Sequence, residues 1–171
     1  MPTTSPFLEA SASLATPLGL LVLRGSDAGL AVVSFLEAAE SAAPTPSAAV
    51  PHCLQAAHEQ LRAYFGRELR DFTLQYAPTF GTDFQRRVWQ ALPAIGYGHT
   101  ASYLTIAKAI DNPAAVRAVG AANGQNPLAI VWPCHRIIGA NGQLTGYAGG
   151  LSRKQWLLEF ERPTLQTSLF D

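Results

Sequence analysis

Hydrophobic positions change their spacing partway along the chain. Residues 18–24 and 30–36 are short runs rich in Leu and Val, and residues 25–29 (GSDAG) between them supply turn chemistry, which predicts two strands joined as a hairpin. Residues 7–14 add a candidate third strand. Residues 41–49, rich in Ala, Ser, Thr and Pro, read as a loop. Leu54, Ala57, Leu61, Tyr64 and Phe65 then recur at helical spacing and predict an amphipathic helix over 51–65. Residues 72–76 read as a further strand, followed by a linker over 77–81. From residue 82 onward the pattern is one of short helices. Thr82 and Gln85 have capping-box spacing, so a helix is expected to start near Asp83 and bury Phe84, Val88 and Leu92. A second helix carries Tyr103, Ile106, Ala107 and Ile110. Asn112 as N-cap and Pro113 at the first helical position predict a third helix over 114–122. Two short helices joined so tightly suggest a helix-turn-helix. Ser152 and Gln155 repeat the capping-box spacing for a last helix that Pro163 should terminate, leaving 164–171 as a tail.

The elements divide the chain into an N-terminal unit over residues 1–80 and a mostly helical unit over 81–171, an α+β arrangement. Composition narrows the function classes. With 171 residues, 48% hydrophobic and 14% charged, the chain is neither disordered, collagenous nor coiled coil. No apolar run approaches the roughly 18 residues of a membrane span, and no basic segment precedes an apolar stretch as in a secretory leader. Two cysteines, Cys53 and Cys134, are too few for a disulfide framework or a cysteine-rich zinc site, so a reducing cytoplasm is the expected setting. Cys53 reads as structural, and His58 and His99 as solvated or locally bonded. Net charge is zero but unevenly spread: residues 1–83 carry four arginines and eight acids, residues 84–171 eight basic and four acidic side chains. That asymmetry points to a polyanion partner for the second half.

The segment Ile130-Val-Trp-Pro-Cys-His-Arg-Ile-Ile138 sets one cysteine between a proline and a histidine, inside apolar flanks. A cysteine in such surroundings is either a small buried hydrophobe or a nucleophile. A nucleophile must be a thiolate, whereas an ordinary thiol is mostly protonated at neutral pH. An adjacent imidazole, itself oriented by a carboxylate, would take the proton directly or through water. His135 is the candidate base, provided the chain turns there, because strand neighbours point to opposite faces. Glu159 or Glu161 on the last helix would supply the carboxylate. Cys134 is then expected to be ionised and reachable.

Pro133-Cys134-His135-Arg136 resembles the active-site signature of the O6-alkylguanine-DNA alkyltransferases, the methylated-DNA–protein-cysteine methyltransferases. Further blocks follow the same family pattern in order: Phe84-Gln85-Arg86-Arg87-Val88-Trp89, Ser102-Tyr103, Ala115-Val116-Arg117-Ala118-Val119-Gly120, Asn126-Pro127, Gly146-Tyr147 and Lys154-Gln-Trp-Leu-Leu158 with Glu161. The likeness is strong over roughly residues 80–162 and looser before them.

The resemblance implies a small ribonuclease H-like N-terminal sheet with a helix, then a helical domain carrying the site. It implies direct reversal of DNA damage: Cys134 takes an alkyl group from O6-alkylguanine, and by extension O4-alkylthymine, in double-stranded DNA, irreversibly and once per molecule. His135 would deprotonate Cys134 through water, Glu161 would orient His135, and Asn126 would brace the turn. Tyr103, Ser102, Ala115, Arg136 and Tyr147 would meet DNA or the extruded base, and Arg117 would enter the duplex in its place. No cofactor or metal is implied, since the damaged DNA is the alkyl donor. The implied partner is alkylated duplex DNA met through its minor groove by a monomer, with no membrane involved. A helix with one long polar residue suits close approach to a backbone and lacks the side chains of a sequence-specific reader. Trp132 replaces a common aliphatic residue, so its indole needs a partner if buried. Ala148 replaces a hydroxyl residue. Two other readings compete: a non-catalytic lesion binder that flips and flags the base, and a redox-sensing thiol protein.

Overall fold

The structure, a computed structural model, describes residues 10–37 and 42–163. Three antiparallel strands, β1 (Ala10–Thr16), β2 (Gly19–Ser26) and β3 (Gly29–Phe35), lie in that order in one sheet. The β1–β2 register sets Ala12 opposite Leu23 and Leu14 opposite Leu21, so one face collects the apolar side chains. Helix α1 (His52–Phe65) lays Leu54, Ala57 and Leu61 into the same core. Each fully buried leucine here contributes about 1.5–3 kcal/mol.

Beyond it come α2 (Asp83–Ala91), β4 (Ala101–Ser102), α3 (Tyr103–Ala109), α4 (Val116–Gly124), β5 (Ile137–Ile138) and α5 (Leu151–Glu161). The apolar core is continuous through both halves, from Leu21 and Leu23 to Trp89, Val119, Leu128, Ile137 and Leu157. Two backbone bonds hold the outer edge of β3 to the segment leading to Cys134: Val33 N–H donates to Pro127 (2.9 Å), and Ala129 N–H donates to Val33 (3.1 Å). The parallel β4–β5 pair ties the residues after Cys134 to the start of α3. The candidate nucleophile therefore sits on a loop fixed on both sides.

Local signals explain most boundaries, and tertiary contacts explain the exceptions. Thr82 and Gln85 form the reciprocal capping box. The predicted helix over 114–122 starts later, at Val116, with Ala115 as N-cap. Asn112 and Pro113 instead build the turn: Asp111 takes a left-handed conformation (φ 59°), Asn112 N–H reaches back to Ala107 (2.9 Å) and Asp111 N–H to Lys108 (3.0 Å). This is a Schellman stop for α3. Residues 72–76 are not a strand. Only Tyr76 bridges Leu30, with Leu30 N–H bonded to Gln75 and Ala77 N–H to Leu30. Ser152 does not cap α5, because Gly150 at φ 93° is the N-cap and places Ser152 inside the helix. The candidate third strand over 7–14 corresponds to β1, its predicted residues 7–9 lying outside the described residues. The loop over 41–49 contains a 3₁₀ turn, Ser47–Ala49, and its residue 41 lies outside them too, as does the tail over 164–171. Among the described residues, no helix is long and apolar enough to cross a membrane.

Candidate active site

Asn126 organises the approach to Cys134. Its side-chain oxygen accepts from Leu128 N–H (3.0 Å), and its amide donates to the carbonyl of Trp132 (2.7 Å). The turn so closed forces the buried Ile130 to φ 70°, an uncommon conformation for a β-branched residue that the surrounding bonds must hold in place. A 3₁₀ turn over Cys134–Arg136 follows Pro133. Successive side chains on such a turn lie about a third of a rotation apart rather than on opposite faces, which meets the condition the sequence set for pairing Cys134 with His135. Asn123 on α4 donates to the carbonyl of Cys134 (3.3 Å).

His135 is fully buried, and its Nε2 lies 2.7 Å from Oε1 of Glu161. Of the two carboxylates left open by the sequence, Glu161 is the partner, and Glu159 is exposed. Burial alone would raise the Glu161 carboxyl, but hydrogen bonds from His135 and Arg136 hold it at about 2. It is an acceptor, so Nε2 carries the imidazole proton. Nδ1 is left with a lone pair, buried and without a hydrogen-bond partner among the described residues. Burial also depresses the basicity of His135, against the pull of Glu161, and the imidazole is held neutral.

Burial pushes the Cys134 thiol up, opposed by the Asn126 side chain and the charge of Lys154. The resting sulfur is therefore a thiol and not the standing thiolate that the sequence suggested. Its proton must leave as attack proceeds. Cys134 lines a cavity of about 230 Å³ together with Asn123, Asn126, Tyr147, Ala148 and Gly149. The hydroxyl of Tyr147 and the side-chain oxygen of Asn123 are buried, both without partners among the described residues.

The remaining expected residues fall in two groups. Arg117 is exposed on α4, beside the exposed Ala118 and Ala121, so this face presents one long cation on a nearly bare helix. Tyr103 at the start of α3 hydrogen-bonds the hydroxyl of Thr145. Ser102 is the N-cap of α3, accepting from Thr105 N–H, and Ala115 is half-buried at the N-cap of α4. Arg136 is not at this surface. It is buried, donating to both oxygens of Glu161 (2.8 and 3.0 Å) and to the carbonyl of Ile95 (2.7 Å), which leaves it no reach toward DNA. His58, expected to be solvated or locally bonded, is buried on α1 with Nε2 unpartnered among the described residues. Trp132 is buried between Trp89 and Tyr76.

Three site residues escaped the sequence reading of roles. Lys154 is fully buried and donates to the carbonyl of Thr145 (2.8 Å). Tyr64 reaches Glu161 from α1. Asn123 holds the Cys134 carbonyl. The signals for Lys154 are its place in the family block Lys154–Leu158 and its helical spacing with Leu157 and Glu161 on one face.

Comparison with known proteins bears directly on this geometry. Residues 83–163 match the family model described as 6-O-methylguanine DNA methyltransferase, DNA binding domain. The chain is 49% identical to a methylated-DNA–protein-cysteine methyltransferase of Mycolicibacterium paratuberculosis, over 90% of this chain and 93% of that one. It is 48% identical to one of Methanosarcina acetivorans, over 85% and 94%. The crystal structure of Mycobacterium tuberculosis O6-methylguanine methyltransferase superposes with a TM-score of 0.77 at 45% identity, covering 95% of this chain and 99% of that one. The same mycobacterial protein has been solved in complex with DNA, matching with a TM-score of 0.77 at 47% identity over 88% and 92%. With the braced cysteine, the imidazole–carboxylate pair and a likeness over most of both chains in agreement, the chain belongs to the methylated-DNA–protein-cysteine methyltransferase family.

Proposed function

We propose that this protein repairs alkylated double-stranded DNA by moving the alkyl group of O6-alkylguanine, and of O4-alkylthymine, onto Cys134. The observation that carries this reading is a thiol in a cavity wall, joined through the chain to a neutral histidine whose other nitrogen is fixed by a buried carboxylate. In the step itself, the Cys134 sulfur forms a bond to the alkyl carbon as the carbon–O6 bond breaks. The electron pair of that bond returns to the base, which leaves as the guanine anion and takes up one proton from solvent, matching the proton released by the thiol, to end as unmodified guanine. The thiol proton passes to Nδ1 of His135 through an intervening water, and the charge formed there is offset by Glu161. A thioether has no leaving group of comparable quality, so the protein is consumed after one turnover.

The target carbon lies inside a base stack and is accessible to in-line attack only when the nucleotide rotates out. Helix α4 suits this task. Its exposed face is Arg117, Ala118 and Ala121, and small side chains let a helix sit deep in a minor groove while one long cation fills the space left by the base. Tyr103 and Ser102 at the start of α3, with Ala115 ahead of α4, then face the flanking backbone. Tyr147 closes the base cavity, with backbone N–H groups near Ala148 meeting O6. The protein acts as a monomer in the cytoplasm, where a reactive thiol stays reduced, and needs no cofactor because the substrate supplies the alkyl group. Cys134→Ala tests the assignment: transfer from an O6-methylguanine duplex should vanish while binding of that duplex persists. Residual transfer would remove Cys134 as acceptor.

A further inference from the structure

We propose that Tyr64, reaching from α1 to the far end of the chain, is a positioning residue that sets the basicity of the His135–Glu161 pair. The inference rests on the alkyl-transfer reading above and extends it: the N-terminal unit holds part of the proton-transfer apparatus.

Three donors converge on one oxygen. Oε1 of Glu161 lies 2.7 Å from the Tyr64 hydroxyl, 2.7 Å from Nε2 of His135 and 3.0 Å from Nη2 of Arg136, while Oε2 takes Nε of Arg136 at 2.8 Å. A carboxylate oxygen has two in-plane lone pairs, so these three share its electron density, and whatever Tyr64 draws off is unavailable to His135. Tyr64 is a donor throughout the working range, because burial and then the neighbouring Glu161 charge push its hydroxyl far above the ordinary phenol range.

The hydroxyl is held in place by its surroundings. The fully buried Tyr64 ring packs against Phe65, Phe72, Tyr97 and Phe160, with centroids 5.1 to 6.2 Å apart. Helix α1 ends at the next residue, Phe65, and just beyond it Arg67 takes a left-handed conformation (φ 61°), with Glu68 N–H bonded back to Ala63 and Arg67 N–H to Tyr64. That stop directs Arg67 onto α5: its Nη1 donates to the carbonyl of Phe160 (3.1 Å), and its guanidinium lies 4.2 Å from the centre of the Phe160 ring. The residue preceding Glu161 is thus clamped by the same turn of α1 that presents Tyr64. A phenylalanine would satisfy the packing equally well, so the hydroxyl's contribution is the bond to Oε1.

Removing that bond has a definite sign. With Tyr64→Phe, Oε1 carries more charge toward Nε2, the imidazolium form of His135 is better stabilised, and His135 takes up its proton at higher pH. Among the described residues, the charged or titratable groups that act on the pair include Arg136 and Lys154 on His135, and Arg136, Tyr97 and Tyr147 on Glu161, with Cys134 adjoining in sequence, and the substitution leaves all of them in place. Transfer requires the neutral imidazole, so the acid limb of the rate profile moves to higher pH.

The test is the pH dependence of single-turnover methyl transfer from an O6-methylguanine duplex, with imidazole nitrogen shifts of His135 followed by NMR in the unreacted protein. Tyr64→Phe should raise the His135 midpoint and the acid limb together, by about half a pH unit, roughly threefold in proton affinity. Phe65→Leu, which disturbs the same α1–α5 packing without touching the carboxylate, should leave both midpoints unchanged. Fluorotyrosine placed at position 64 preserves the shape and strengthens the donor, and should shift both midpoints the opposite way even if Tyr64→Phe folds poorly. Unmoved midpoints in the fluorinated protein, or equal shifts in Phe65→Leu, would reduce Tyr64 to a packing residue. Absence of transfer by the unsubstituted protein would instead remove the reading on which the inference stands.

Discussion

Glu161→Gln is the most informative single substitution, because the structure sets its cost to stability apart from its cost to rate. Four donor contacts converge on the carboxylate at 2.7 to 3.0 Å, from Tyr64, His135 and both ends of the Arg136 guanidinium. Glutamine keeps the shape but offers one acceptor oxygen and one NH₂ group. Whichever way the amide turns, an N–H faces another donor, and Arg136 is left buried beside a neutral partner. Breaking a buried ion pair from one side costs about 3–5 kcal/mol, which for a chain of this size is a fall in Tm of about 6–20 °C. The chemical loss is separate. Without a carboxylate, Nε2 is no longer compelled to carry the proton and Nδ1 is no longer reserved as the base, so transfer should slow by about 10²- to 10⁴-fold. Urea unfolding and single-turnover transfer to a methylated duplex measure the two quantities independently. Adding Arg136→Met to the same chain removes the orphaned cation and should recover much of the stability but none of the rate. A glutamine protein within about 1 kcal/mol and threefold of the parent would refute the reasoning, since four contacts of this quality cannot be lost for so little.

Two further outcomes follow from the same geometry. Arg117→Ala should slow repair within duplex DNA by roughly tenfold or more, since base extrusion costs a few kcal/mol. It should leave reaction with the isolated O6-alkylguanine base unchanged, and equal slowing of both in a substrate-competition assay would exclude the insertion role. Stability should fall in two stages on acidification, followed by urea midpoints. His135 is depressed below its ordinary 6.5, so the unfolded chain binds this proton first and stability declines as pH drops past that value. Glu161, held at about 2 by His135 and Arg136 despite its burial, contributes stability above its ordinary 4.5 that is lost as pH falls toward 2. A urea midpoint flat from pH 7 to pH 4.5 would contradict the first assignment, and one flat from pH 4.5 to pH 2 the second.

Much of this site was legible because its signals are local. The Thr82–Gln85 cap needs only four residues, and the helical pattern of Leu54 through Phe65 needs only one apolar face. Proline before Cys134 and histidine after it are visible, and the turn that pairing Cys134 with His135 requires is supplied by the 3₁₀ turn over Cys134–Arg136. What failed depended on a competing local motif or on distant partners. Asn112 and Pro113 have the chemistry of a helix start, yet the Schellman stop of α3 claims them first. Residues 72–76 have strand propensity, but only Tyr76 meets the hairpin. Charged side chains are ordinarily placed in solvent, so the burial of Arg136 and Lys154 could be read only once Ile95, Thr145 and Glu161 were seen to receive them. The residue pattern alone leaves Glu159 open beside Glu161, whereas the resemblance points to Glu161, and the structure puts Glu161 on the buried face of α5 and Glu159 on the exposed one.

The central claim is that one particular sulfur takes the alkyl group and keeps it. Incubation with an excess of O6-methylguanine duplex, followed by intact-mass and peptide mapping, tests it directly. The account predicts a gain of one methylene per molecule, confined to the peptide bearing Cys134 and unchanged by more substrate or longer time. An adduct on Cys53, repeated turnover with unmodified protein, or restored guanine without any gain in protein mass would contradict it.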